Sequence, residues 1–349
     1  MTLAKQLCFM LAYLLTLLPF IGFYWGGLGN FVTLAALFSI IPLIDWCFID
    51  KSNPDETQEK KLLANPYFKW LTWLYVPLQC GMLFLAITLL KNTPLRWYEW
   101  LGFTISIGIL TGGIGITLSH ELMHKNSRLE RLLSKALLCM VCYGHFFIEH
   151  VRGHHVHVAT FEDPATARFG ETVYQFIPRT ISGSLKSAFL LESKRLKQKG
   201  LSVVSYRNQF WWIIIVPVLL ATAIFQYAGW SALLFFILQS FTAILMLEVV
   251  NYIEHYGLER KKLANGEYER VTIQHSWNAS HWLSNQLLFH LQRHSDHHAF
   301  GARPYQILRH VEESPQLPSG YLGMIILALM PPLWRRVMDK RARVYRHID

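Results

Sequence analysis

Six stretches of this chain stay apolar long enough to cross a lipid bilayer, and they constrain the fold more than any other feature. They are Leu7–Trp25, Phe31–Ile49, Trp70–Leu90, Tyr98–Ser119, Phe210–Tyr227 and Trp230–Tyr252. A hydrocarbon core of about 30 Å needs about 20 such residues, since a helix rises about 1.5 Å per residue. Inside lipid the backbone must satisfy its own polar groups, and continuous apolar runs do so as helices. Short links join the six runs into three hairpins. The expected fold class is all-α: a six-transmembrane-helix bundle with a helical cap, residues 1–349 forming a single membrane-embedded domain. The cap comprises segments 120–208 and 253–349. A seventh apolar run, Tyr321–Trp334, is too short to span and contains Pro331 and Pro332. It reads as an interfacial or re-entrant piece.

Charge sets the orientation. The chain has 33 Lys+Arg against 23 Asp+Glu, a net charge of +10, yet only 16% charged residues; a soluble domain carries about 25%. The loops after spans one, three and five hold only Lys91 and Arg96, so 33 − 2 = 31 basic residues lie on the other side. The positive-inside rule places both termini and the cap in the cytoplasm of a multi-pass inner-membrane protein. The same excess suits anionic lipid or an acidic protein partner. It does not point to nucleic acid, because the basic residues sit in loops between spans. Lys5 followed by Leu7–Phe23 resembles a signal peptide but lacks a small-residue cleavage site, so it reads as a retained first span. The five cysteines suggest no disulfide framework. The lone CxxC, Cys139 and Cys142, lies in an apolar run and reads as a packing feature.

The 16 histidines are clustered. His120 and His124 lie in HELMHK at the end of span four. His150, His154 and His155 lie in EHVRGHH, His255 in NYIEHYG where span six ends, and His294, His297 and His298 in QRHSDHH. Spacings of three and four place side chains on one helix face. Histidine is the commonest metal ligand, and imidazole sets suit iron, zinc or copper. Nine imidazoles exceed what one metal can use and match two metals with four or five each. Glu121, Glu149, Asp163, Glu254 and Asp296 are nearby carboxylates that could orient the rings. HELMH is also an HExxH zinc-protease motif, though a protease site needs only one further ligand. His145, His157, His275, His281, His290, His310 and His347 read as non-ligands.

The boxes HELMHK, EHVRGHHVHVATFEDPATA, NYIEHYGL and LQRHSDHHA resemble those of the integral-membrane alkane monooxygenases, a family that includes the xylene side-chain monooxygenases. IPLID, YGHFFIEH, HSWNASH and PQLPSGY extend the resemblance over nearly the whole chain. NYIEHYG favours the hydroxylases over the fatty acid desaturases, and HAFGARPYQ departs from the family pattern after the last ligands. The resemblance implies terminal hydroxylation of n-alkanes with two non-haem irons and O2. Its ligands fall on the nine clustered histidines, and its nearby carboxylates on Asp163 and Glu254. It also implies electrons from rubredoxin and a rubredoxin reductase. No fused rubredoxin is expected, because that needs two CxxC knuckles. Arg260, Lys261, Lys262 and Arg293 are the candidate docking cations.

A substrate that dissolves in lipid would enter a tunnel inside the bundle. Leu37 and Phe38 lie about two turns before Asp45 in span two, roughly 12 Å deeper, and are the candidate tunnel floor. The alternatives are a xylene-type hydroxylase, a lipid desaturase, a zinc-dependent intramembrane protease, and a metal or haem carrier.

Overall fold

The computed structural model describes residues 3–345. His347 lies outside them. All helices and no strands make up their regular structure; the extended pairings are three isolated bridges, Ile49 with His281, Lys262 with Tyr268, and Asn278 with Gln316. Among the described residues five helices are long and apolar enough to cross a membrane: Lys5–Trp25, Gly27–Cys47, Pro66–Asn92, Trp97–Met123 and Gln209–His255.

The fifth of these helices contains both of the last two expected spans. Its 47 residues would extend about 70 Å if straight, more than twice a hydrocarbon core. Gly229 interrupts it with φ 76° and ψ −166°, a conformation a residue with a Cβ avoids. Two apolar limbs therefore meet at Gly229. The second helix starts at Gly27, earlier than expected, because the break is short, at Gly26 (φ 70°) and Gly27 (φ 53°). It ends at Cys47, since Phe48 is already extended. The connection between the second and third expected spans contains the helix Glu56–Ala64. Tyr321–Trp334 divides into the helices Tyr321–Ala328 and Pro331–Tyr345. Pro331 opens the second, where its missing N–H costs nothing.

The chain forms two compact units. The first contains the residues up to Ser39, Asn65–Ile148 and Ala188–Leu247. The second contains Ile40–Ala64, Glu149–Ser187 and the residues from Glu248 onward.

In the first unit Trp97–Met123 is the most enclosed span. Gly108 and Gly112 permit this: an added Cβ would lie 2.7 Å from the Gln239 carbonyl oxygen and 2.7 Å from the Ala243 Cα, respectively. Small residues drive such close contact in lipid, where helices gain nothing from hiding apolar surface. The close approach lets Thr111 Oγ1 donate to Gln239 Oε1 at 2.9 Å, while Gln239 Nε2 reaches the Met140 carbonyl at 3.0 Å. The second unit is held largely by side-chain to backbone bonds. Trp277 Nε1 donates to the Tyr256 carbonyl (2.9 Å), and Tyr256 donates its hydroxyl proton to Asp339 Oδ1 (2.6 Å).

Candidate metal centre

Two of the predicted ligands lie in the first unit. Trp97–Met123 runs past the expected end of span four, so His120 lies in its last turn and His124 caps it. Their rings lie 5.1 Å apart. Ser119 and Ser134, hydroxyls 2.8 Å apart, each donate to the other's carbonyl and tie this helix end to Arg128–Cys139. Glu121 pairs with Lys125 one turn on. A π-helical turn, Thr111–Ile116, precedes the pair and carries Gly112, Gly113 and Gly115.

The second unit brings together the other seven. EHVRGHH winds as a π-helical turn over His150–His154, a geometry often found at functional sites. Gly153 is needed there, because an added Cβ would lie 2.3 Å from Glu149 Oε1. His255 ends the Gln209–His255 helix, and the six-residue helix His294–Ala299 carries the last three. Neighbouring residues on a helix diverge by about 100°, so adjacent histidines go to different groups. The candidate ligand atoms of His154, His255, His294 and His298 lie within 4.8 Å of one another, and so do those of His150, His155 and His297.

The ring nitrogens face inward. Nε2 of His154 is 3.2 Å from Nε2 of His298, and Nε2 of His294 is 3.2 Å from Nε2 of His255. In the other group Nε2 of His155 is 3.0 Å from His150 and 3.2 Å from His297. Outer contacts set two of these orientations. His154 Nδ1 meets Asp163 Oδ2 at 2.8 Å, and His255 Nδ1 faces the His275 carbonyl at 3.4 Å. These oxygens accept, so each ring carries its proton on Nδ1 and turns the Nε2 lone pair inward. Asp163 also accepts from Thr166 Oγ1 (2.6 Å) and the Ala165 N–H (3.0 Å). Burial would raise its pKa, but the neighbouring His154 and the hydrogen bond from Thr166 outweigh that and lower it. Burial first, then its neighbouring imidazoles, holds His298 neutral, with a pKa well below its ordinary value.

This donor set fits metal ions. The Nε2 lone pairs of His154 and His255 converge with the other ring nitrogens at close range, the arrangement that holds a cation, and neutral imidazole is the form that binds metal.

Glu254 stands differently from Asp163. Its Oε2 is 3.2 Å from His294 Nε2, on the side of the ligand nitrogens, and its Oε1 accepts from the Tyr321 hydroxyl at 2.8 Å. Tyr321, which sequence reasoning missed, is the last residue of PQLPSGY. Asp45, read from the sequence as part of IPLID and as a depth marker, has a structural role. Its Oδ1 accepts from the N–H groups of Leu283 (2.9 Å) and Ser284 (3.1 Å) at the start of the Trp282–Leu287 helix. Asp296 turns to Arg303 and the Arg309 N–H. Burial pushes the Glu149 carboxyl up to about 7.

The remaining described histidines have other partners or other places. His290 Nδ1 bonds the Tyr305 carbonyl (3.0 Å), and His310 lies between Ser280 (2.8 Å) and Glu312 (2.8 Å). His157 meets Glu162, His275 meets Glu269, and His281 precedes the Trp282–Leu287 helix. His145 is buried in the first unit beside Tyr143.

One predicted docking cation is corrected. Arg293 is buried and donates to the carbonyls of Leu308 (2.6 Å), Asp50 (3.0 Å) and Ser52 (3.2 Å), so it clamps the backbone instead of facing a partner. Arg260 is half-buried and bonds the Val156 and Glu269 carbonyls, whereas Lys261 and Lys262 are exposed. Leu37 is buried and lies on a π-helical turn, Ala36–Ile40; Phe38 is half-buried.

Comparison with known proteins covers nearly all of the chain. The fatty acid desaturase family model matches residues 95–328. The chain is 48% identical over 320 residues to alkane 1-monooxygenase 1 of Pseudomonas aeruginosa, covering 90% of this chain and 83% of that protein. It is 46% identical over 332 residues to alkane 1-monooxygenase 2 of the same organism, covering 92% and 88%. It is also 30% identical over 325 residues to the xylene/toluene monooxygenase hydroxylase component of Pseudomonas putida, covering 92% and 84%.

Proposed function

The chain belongs to the alkane 1-monooxygenases, within the wider fatty acid desaturase family, and from that premise we propose that it hydroxylates n-alkanes at the terminal carbon. The products are primary alcohols, O2 is the co-substrate, and the centre holds two non-haem irons. Electrons come from a separate rubredoxin and its reductase. The observation that carries this reading is the cluster of seven imidazoles with ligand nitrogens turned inward. His154, His255, His294 and His298 make a full set for one ion. His150, His155 and His297 supply three donors for the second ion, and the family resemblance assigns His120 and His124 as further ligands. When bound, the irons supply the activation of O2.

The chain's own residues do the rest. Asp163 fixes the tautomer of His154, and Glu254, held by the Tyr321 hydroxyl, places a carboxyl oxygen beside His294. The apolar interior excludes water and holds the alkane by burial, worth roughly 0.8 kcal/mol per methylene. An alkane has no polar group to grip, so the choice of the terminal carbon comes from tunnel shape, with Leu37 as floor and Phe38 beside it. The break at Gly229 makes the long helix two spans, six in all. Both termini and the metal site then lie on the cytoplasmic side of the inner membrane, and the whole chain acts as one domain.

The test is conversion of octane, hexadecane, xylene and a fatty acid by cells that also make a rubredoxin and its reductase. The expected products are 1-octanol and 1-hexadecanol. Preferential oxidation of xylene, or unsaturation of the fatty acid, would overturn the reading in favour of a side-chain hydroxylase or a desaturase.

A further inference from the structure

The first unit holds a cavity of about 510 Å³ that none of the nine histidines lines. Its walls include Cys80, Met140, Phe147, Ile213, Val216 and Leu220. The Cys80 thiol lies 3.5 Å from the Met140 sulfur, a soft and adaptable wall. Two further lining residues, Leu132 and Trp212, are exposed, so the cavity opens to the surroundings of the helices.

One end of the cavity is cationic. Lys135 Nζ donates to Gln209 Oε1 at 2.6 Å and lies 4.6 Å above the Phe147 ring. The Arg131 guanidinium lies 5.4 Å above the same ring. Arg131 and Lys135 are one turn apart on the Arg128–Cys139 helix, where like charges repel, so an anion at this mouth is favoured. Gln209 is the first residue of its membrane-crossing helix, which puts the mouth at the membrane interface. Leu220 lies eleven residues further on, about 16 Å deeper, roughly half of a hydrocarbon core. A volume of this size lies within the usual range for a pocket that encloses one small amphiphile, about 300–1,000 Å³.

An apolar groove with a paired cation at its interface end complements one acyl chain attached to an anionic head. A plain alkane gains nothing from the cations. We propose that this groove binds one anionic phospholipid, with the phosphate on Arg131 and Lys135 and an acyl chain along Ile213, Val216 and Leu220. Lys135 exchanges the Gln209 side-chain amide oxygen for a phosphate oxygen. The site is separate from the hydroxylation centre and does not depend on the metal assignment.

The test uses the full iron-loaded chain in detergent, supplied with dioleoyl-phosphatidylglycerol or dioleoyl-phosphatidylcholine, with bound lipid counted by native mass spectrometry. The expected result is one retained phosphatidylglycerol, bound at least five-fold more tightly than phosphatidylcholine. The double variant Arg131→Gln/Lys135→Gln should abolish that preference. Val216→Trp, which fills the groove, should lower retention of the lipid at least five-fold. Equal retention of the two headgroups, or full retention by Val216→Trp, would overturn the proposal. Displacement of the lipid by hexadecane would also overturn it, by identifying the groove as a hydrocarbon port.

Discussion

Replacing Asp163 by Asn changes one atom of a fully buried carboxylate and tests whether that carboxylate sets the metal site. Oδ2 accepts from His154 Nδ1 at 2.8 Å and from Thr166 Oγ1 at 2.6 Å, and Oδ1 accepts from the Ala165 N–H at 3.0 Å. An amide keeps one acceptor oxygen. If its NH2 faces Ala165, two donors collide at a fixed backbone position. If it faces His154, the ring must move its proton to Nε2, the nitrogen turned toward the metal. Either arrangement mispairs one buried group, at about 1–3 kcal/mol, which is a factor of roughly 5–150 in an equilibrium constant. Loss of such a backing carboxylate typically lowers metal affinity or activity about 10–100-fold. Asp163→Asn should therefore reduce octane turnover about 10–100-fold and make one of two irons removable by a mild chelator. The control is Glu312→Gln, an exposed carboxylate paired with Lys51 and His310, which should change neither. An Asp163→Asn protein with turnover and chelator resistance within two-fold of the parent would refute the role assigned to Asp163.

Leu37→Trp should abolish oxidation of long alkanes and keep that of medium ones, measured as product yield across a chain-length series; an unchanged profile places the tunnel floor elsewhere. Reduction by rubredoxin should slow as salt rises, since exposed charges are screened beyond about 8 Å at physiological salt. Lys261→Glu/Lys262→Glu should slow it at low salt, and a rate indifferent to both changes would exclude docking by charge. Burial pushes the His145 pKa from 6.5 down to about 4, so between those values the unfolded chain binds a proton that the folded protein refuses. That penalty is absent above pH 6.5 and grows as the pH falls toward 4, reaching on the order of 3 kcal/mol. His145→Phe should flatten the fall in unfolding temperature over that range, and an equally steep fall would show that His145 is not its source.

The apolar spans and the histidine boxes were legible because both are local features of the chain. Long apolar runs have one solution in lipid, and paired spacings of three and four declare a helix face. The partition of ligands was not legible. His154 and His155 are adjacent, as are His297 and His298, and only the turn of the helix sends the members of each pair to different groups. The π-helical turn at His150–His154 carries no signal beyond Gly153, whose need appears only once the Glu149 carboxylate is seen against it. The role of Arg293 could not be read from composition, because a cation in a polar segment reads as surface until the three carbonyls it binds are known. The supports of Glu254 and of the Trp282–Leu287 helix come from Tyr321 and Asp45, 67 and 238 residues away from their partners in sequence. Such long-range pairs leave no local pattern.

The central claim, a two-iron centre ligated by nine histidines, is tested most directly by metal analysis of the purified chain and of His298→Ala. His298 lies in the four-imidazole group, its ligand atom within 4.8 Å of the other three, and alanine removes one of those four donors. The account predicts about two irons per parent chain, without zinc or haem, and about one or fewer in His298→Ala with octane oxidation lost. One zinc per chain, or an undiminished iron content in His298→Ala, would contradict it.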